Sequence, residues 1–262
     1  MVGYDLEDRA YCMELTYNYG LDDPDTYKPG NGLTEFGIFV PDVAAAKSAA
    51  QKLGYAEEDC CIVGPDRYRF RLLPLPSGRS ERFLYVMCRS AGLDKTIGFY
   101  KEVLGMSDAE VPPEAPKLGK SAAVSYTSKS HPHNLEPMLL VWYEDGIVPK
   151  PTPWEGRHAL GLNAEQIIAL HARYKKEMPD KIMHEGSDGP ISLQEKLGTL
   201  FIFIARDFDG YEMCFVSRET MLPAVVEAVT NYDGKVGTGE SRNHLGAETW
   251  VTFWSDKSTT FT

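Results

Sequence analysis

Histidine, cysteine and basic residues are all scarce in this 262-residue sequence, and it contains no long apolar run. Apolar stretches such as Met138–Tyr143 and Leu200–Ala205 are of strand length, far short of the ~20 residues that span a bilayer, so no membrane partner is expected. Lys and Arg number 27 against 38 Asp and Glu, a formal net charge of −11. Nucleic acid is thereby excluded as the main partner, because phosphate binding needs clustered cations. The short basic stretches Arg67–Arg71 and Arg79–Arg89 lie in strand-like sequence and read as solvated strand faces. The five cysteines form no Cys-x-x-Cys pair, and the adjacent Cys60 and Cys61 are badly placed to bridge each other. This usage points to reduced thiols in a reducing compartment rather than to a disulfide scaffold. Met1–Asp8 is acidic and lacks the basic and apolar regions of a signal peptide. There is no Gly-x-Ser-x-Gly elbow, phosphate loop or dinucleotide fingerprint. His131 and His133 fall in a polar loop, His171 in a helix, and His184 and His244 in glycine-containing loops, so none of these reads as a ligand.

What the sequence does have is a core and a repeat. Apolar residues make up 43% and charged residues 25%, the composition of a folded globular chain. Phe36–Val40 reads as a strand, Asp42 as the N-cap of a helix reaching Lys52, and Ile62–Val63 and Tyr68–Leu73 as strands. The order recurs with strand Arg82–Cys88, helix Asp94–Leu104 and strands Ala122–Tyr126 and Pro137–Tyr143. It recurs again with strand Arg157–Leu162, helix Ala164–Glu177 capped by Asn163, and strands Leu197–Ala205 and Tyr211–Val216. An opening strand, Ala10–Tyr17, belongs to the strand part of a further copy. Residues 218–262 read as a helix followed by a flexible Gly-, Ser- and Thr-rich tail.

Three segments carry a family resemblance. Met13-Glu14-Leu15-Thr16-Tyr17-Asn18 resembles the Glu-Leu-Thr-Tyr/His-Asn segment of glyoxalase I; Phe99-Tyr100-Lys101-Glu102-Val103-Leu104-Gly105-Met106 resembles the helix end of the vicinal oxygen chelate superfamily; and Asp207-Phe208-Asp209-Gly210-Tyr211 resembles its Asp-Pro-Asp-Gly turn. The resemblance implies an α+β fold of tandem β-α-β-β-β units forming cupped mixed sheets, the glyoxalase/bleomycin-resistance/dioxygenase-like fold. It implies a small-molecule ligand, a possible homodimer, and a divalent metal (Zn, Ni or Co) held by side chains from the first or last strand of a unit.

Carried over residue by residue, the resemblance makes Glu14 the metal ligand and proton-moving carboxylate, with Glu35 and Cys214 as further candidate ligands. Arg71, Tyr85 and Arg157 stand at positions where the family has ligands, and are instead candidates for binding an anionic substrate. His158 is one residue out of register, which reverses its face in a strand. Two functional readings stay open. One is a metal-dependent lyase or isomerase acting on a small oxo-compound or glutathione adduct. The other is a metal-free binding or interaction protein on the same scaffold.

Length sharpens the organisation. Four units and a tail need more chain than this, so the sequence reads as about three and a half units of a four-unit protein, beginning inside a unit. The expected division is 1–78, 79–217 and a C-terminal 218–262. An open sheet edge is expected beside the Glu14 strand. The expected location is cytoplasmic, with mitochondrial or plastid targeting left open.

Overall fold

The computed structural model of the protein describes residues 2–3, 11–13, 30–64, 67–79, 81–126, 137–152, 156–195, 198–220 and 250–254. Two short strands come first, β1 (Val2–Gly3) and β2 (Cys12–Met13). The first full unit is β3 (Leu33–Val40), α1 (Val43–Lys52), β4 (Ala56–Glu58), β5 (Cys61–Val63) and β6 (Arg69–Pro74). The second is β7 (Phe83–Arg89), α2 (Leu93–Glu102), β8 (Ser107–Ala109), β9 (Lys120–Ser125) and β10 (Leu139–Glu144). The third is β11 (Arg157–Leu162), α3 (Ala164–Glu177), β12 (Ile182–His184), β13 (Ile191–Glu195), β14 (Gly198–Arg206) and β15 (Glu212–Ser217). A last strand, β16 (Trp250–Trp254), follows. No helix among the described residues is long and apolar enough to cross a membrane.

Each unit places its strands in one order. The first strand pairs in parallel with the last, and the remaining strands follow outward: β3-β6-β5-β4, β7-β10-β9-β8 and β11-β15-β14-β12. The first two units join through antiparallel β3 and β7 into one eight-stranded sheet. The division expected at 78/79 falls between β6 and β7, inside this continuous sheet. The third unit forms a second sheet with β1, β2 and β16. The edge beside β2, expected to be open, is filled by β16, which runs antiparallel to β2 and parallel to β11. The helix expected over 218–231 lies almost wholly outside the described residues.

Local chemistry sets the helix ends. Asp42 accepts the Ala45 amide at 2.9 Å and starts α1; Gly54 turns the chain out at φ 87°. Asn163 and Gln166 form a reciprocal capping box on α3, and Pro179 follows its end. The start of α2 has no side-chain cap of its own. Instead Asp209 accepts from Ala91 N at 2.9 Å, and Glu144 from Leu93 N at 2.9 Å.

Alternation along each strand divides the first sheet into two faces. Phe36, Val86, Leu140 and Trp142 join Phe99, Tyr100 and Leu104 in one core on the helix side. That core runs on into the third unit through Ile167, Leu170, Tyr174, Phe203 and Phe215, and the Phe99 and Tyr174 rings meet edge-on at 6.3 Å. The helix-free face of the first sheet carries a separate cluster that includes Phe39, Tyr85, Met87, Val141 and Tyr143, and Ala115 packs into it.

Candidate functional site

The registers of β3 with β7, and of each with its own last strand, relate the two halves of the first sheet by a local two-fold. Gly37 pairs with Tyr85 and Glu35 with Met87; Gly37 pairs with Arg71 as Met87 pairs with Val141. The helices start at Val43 and Leu93, the same offset that separates Glu35 from Tyr85. Glu35, Arg71, Tyr85 and Val141 are therefore equivalent first- and last-strand positions of two units, all on the helix-free face. Three of them meet in one cluster. Arg71 donates from Nε to Glu35 Oε1 at 2.7 Å and from Nη2 to Oε2 at 2.9 Å. Tyr85 donates its hydroxyl to Oε1 at 2.5 Å, and Cys61 donates its thiol to Oε2 at 3.2 Å. Gly37 makes room for this: a Cβ there would collide with the Tyr85 ring.

Glu35, Cys61 and Tyr85 are essentially without solvent exposure, and the Arg71 side chain keeps 15%. Burial, then the Glu35 hydrogen bond, pushes the Cys61 thiol up to about 12 and raises the Tyr85 phenol. The bond to Glu35 raises the Arg71 guanidinium. Around Glu35 the cluster gathers one guanidinium and two neutral donors, the Tyr85 phenol and the Cys61 thiol.

In the second sheet the charges trade strands. Arg157, on the first strand of its unit, donates to Glu212 Oε2 on the last strand at 3.3 Å, and Arg206 reaches Glu212 Oε1 at 3.5 Å. Arg157 is nearly buried, whereas the Arg206 side chain keeps 47% exposure. Cys214 pairs with Ala159 across β11–β15 and packs with Ala159 and Ile204. His158 alternates to the other face from Arg157 and lies 6.4 Å from the Tyr211 ring. Burial alone pushes the His158 imidazole down to about 4, so it is neutral at pH 7.

The turn before β15 ties the two sheets together. Asp207 accepts the Asp209 and Tyr211 amides at 3.0 Å each and the Tyr100 hydroxyl at 3.1 Å. Asp209 accepts from Thr96 Oγ1 at 2.6 Å, and Tyr211 donates its hydroxyl to the Arg89 carbonyl at 2.8 Å.

Glu35, Arg71 and Tyr85 are thus brought together, whereas Arg157 and Cys214 belong to the other sheet. Glu14, which follows β2, lies outside the described residues. Among the described residues the donors do not fit the metal that the family resemblance implies. Both Glu35 oxygens are engaged, Arg71 brings a positive charge, and Val141 offers no donor atom. Cys214 sits among apolar side chains. Among the described residues no group of three or more His, Cys, Asp or Glu side chains is arranged to hold a metal ion. Cys61 and Glu212 were missed by the sequence reading. Alternation was the available signal for Glu212, which lies two residues from Cys214 and so on the same face of β15.

Repeated β-α-β-β-β units, two of them joined through their first strands into a mixed eight-stranded sheet, are the architecture of the glyoxalase, or vicinal oxygen chelate, superfamily, and the chain is similar in sequence and fold to proteins of that group. It is similar to glyoxalase domain-containing protein 4 of Mus musculus, 28% identical over 225 residues that cover 84% of this chain and 68% of the relative. A protein of Arabidopsis thaliana named probable lactoylglutathione lyase, chloroplastic, is 37% identical over 120 residues. That stretch covers 40% of this chain and only 32% of the relative's length. The crystal structure of glyoxalase I from Zea mays matches the fold with a TM-score of 0.55 at 20% identity, over 84% of each chain. No family model matches the chain.

Proposed function

We propose that this protein binds a small anionic compound, an oxo-acid or a glutathione adduct, on the helix-free face of its second sheet. The observation that carries the reading is the Arg157–Glu212–Arg206 group, in which two guanidinium groups share one carboxylate. Arg206 keeps about half of its side chain exposed and presents a guanidinium at the open end of the group. Guanidinium recognises carboxylate through paired N–H donors, which suits a ligand bearing one or two carboxylates. The reduced thiols of Cys60, Cys61, Cys88 and Cys214 suit a reducing compartment, the cytoplasm or an organelle. Thermal-shift titration of the full chain with glutathione, S-lactoylglutathione and pyruvate tests the reading. At least one should raise the Tm of the wild type and not that of Arg157→Ala. Equal shifts in both proteins, or no shift in either, would reject it.

A second reading, a metal-dependent lyase with Glu14 as a ligand, is favoured by the 37% identity with the relative named probable lactoylglutathione lyase. Turnover of the methylglyoxal–glutathione hemithioacetal with added Ni²⁺, Zn²⁺ or Co²⁺, together with metal content, tests it. Absence of both turnover and bound metal would sink it.

A further inference from the structure

The first sheet carries an inference independent of the second-sheet binding reading. A carboxylate offers about four lone-pair sites. Glu35 has four donors in place: Arg71 Nε and Nη2, the Tyr85 hydroxyl and the Cys61 thiol. None is left for a metal. Charge argues the same way. The Arg71 guanidinium lies against Glu35 and compensates it. A divalent ion brought beside that guanidinium would meet like-charge repulsion in a largely buried setting. The cluster also spans a seam: Glu35, Cys61 and Arg71 come from the first unit and Tyr85 from the second.

We infer that the Arg71 guanidinium is the resident cation of this face. It stands where a divalent ion would otherwise neutralise the carboxylate, and Glu35, Arg71, Tyr85 and Cys61 form a closed, metal-free cluster that fastens the first unit to the second across β3 and β7. Glu35 is then a seam residue and not a ligand, whatever the second sheet binds. The second sheet also sets an Arg against a Glu, but between direct register partners, Arg157 on the first strand and Glu212 on the last. There Arg206 keeps about half of its side chain exposed, whereas the Arg71 side chain keeps 15%.

The test uses the full chain, loaded with Zn²⁺ or Ni²⁺ and dialysed, with metal per chain measured for the wild type and the near-isosteric Glu35→Gln. Both should hold the same amount, because any ion present is bound elsewhere. Loss of one equivalent in Glu35→Gln would overturn the inference. Arg71→Met supplies a second measurement that does not need Glu35→Gln to fold. Removing the guanidinium leaves Glu35 and Cys61 facing each other without a cation, so Zn²⁺ should raise the Tm of Arg71→Met well beyond its effect on the wild type. A Zn²⁺ shift in the wild type as large as in Arg71→Met would overturn the inference, since the site would then accept metal with Arg71 in place.

Discussion

The buried carboxylate of Asp207 receives the hydroxyl of Tyr100 at 3.1 Å, and this contact joins the turn before β15 to helix α2. Burial, reinforced by the charge of Asp209, pushes Asp207 up to about 7 despite the amides of Asp209 and Tyr211. The phenols of Tyr100 and Tyr174 border it, both raised well above their ordinary range by burial, so neither supplies or removes charge near neutrality. The sign follows from linkage. An acid with a raised folded pKa binds more protons folded than unfolded, so its contribution is complete below the unfolded value near 4 and is lost as pH rises through about 7. Asp207→Asn removes that titration. Its Tm should match the wild type below about pH 4, exceed it increasingly from there to about pH 7, and keep a constant lead above that. A difference that stays constant with pH would show that Asp207 is ionised throughout.

Gly37 is where the first-sheet cluster is most exposed to a single methyl group. The Tyr85 ring occupies the space a Cβ would need, so Gly37→Ala must displace the ring or open the β3–β7 ladder. A loss of about 1–3 kcal/mol is expected, typical of overpacking a filled core. Urea unfolding measures it, and Gly37→Ala combined with Tyr85→Ala should recover part of the steric cost.

How much of this was legible before the structure depends on the range of the interactions. Strands β3, β7, β11 and β15 declare themselves as apolar runs, and α1 and α3 by their caps, because those signals are local. The short strands β4 and β8 do not. Ala56–Glu58 and Ser107–Ala109 carry no alternation and are strands only because β5 and β9 lie beside them. The same limit applies to the cluster. Glu35, Arg71 and Tyr85 could each be picked by family position, but their meeting depends on pairings between strands far apart in the chain. The carboxylate that meets Arg71 arrives from β3 through the parallel β3–β6 pairing, which no local pattern shows.

Helix α3 buries Ile167, Leu170 and Tyr174 and rests on a reciprocal cap between Asn163 and Gln166. Asn163 Oδ1 accepts the Gln166 amide at 2.8 Å, and Gln166 Oε1 accepts the Asn163 amide at 3.0 Å. Asn163→Ala should cost about 1 kcal/mol, and Asn163→Ser should keep most of the stability because a hydroxyl can still accept the same amide. Chemical denaturation separates the two. Equal losses would mean that the cap itself contributes little and that packing alone holds the helix start.

The bond from Tyr85 to Glu35 can be separated from the ion pair it sits beside. Tyr85→Phe keeps the ring over Gly37 and removes one donor from Oε1, which still accepts from Arg71 Nε. The expected cost is about 1.5 kcal/mol, the low end for a hydrogen bond to a charged group. Arg71→Met strands a buried carboxylate and should cost about 3–5 kcal/mol. In the double variant Glu35 retains only the Cys61 thiol among its four donors. The Tyr85 hydroxyl and Arg71 Nε both donate to Oε1, so the two losses are coupled and the double variant should depart from their sum. A double-mutant cycle at pH 7 measures the difference. Strict additivity would mean that Tyr85 and Arg71 act on Glu35 independently, and that the seam is held by two separate bonds.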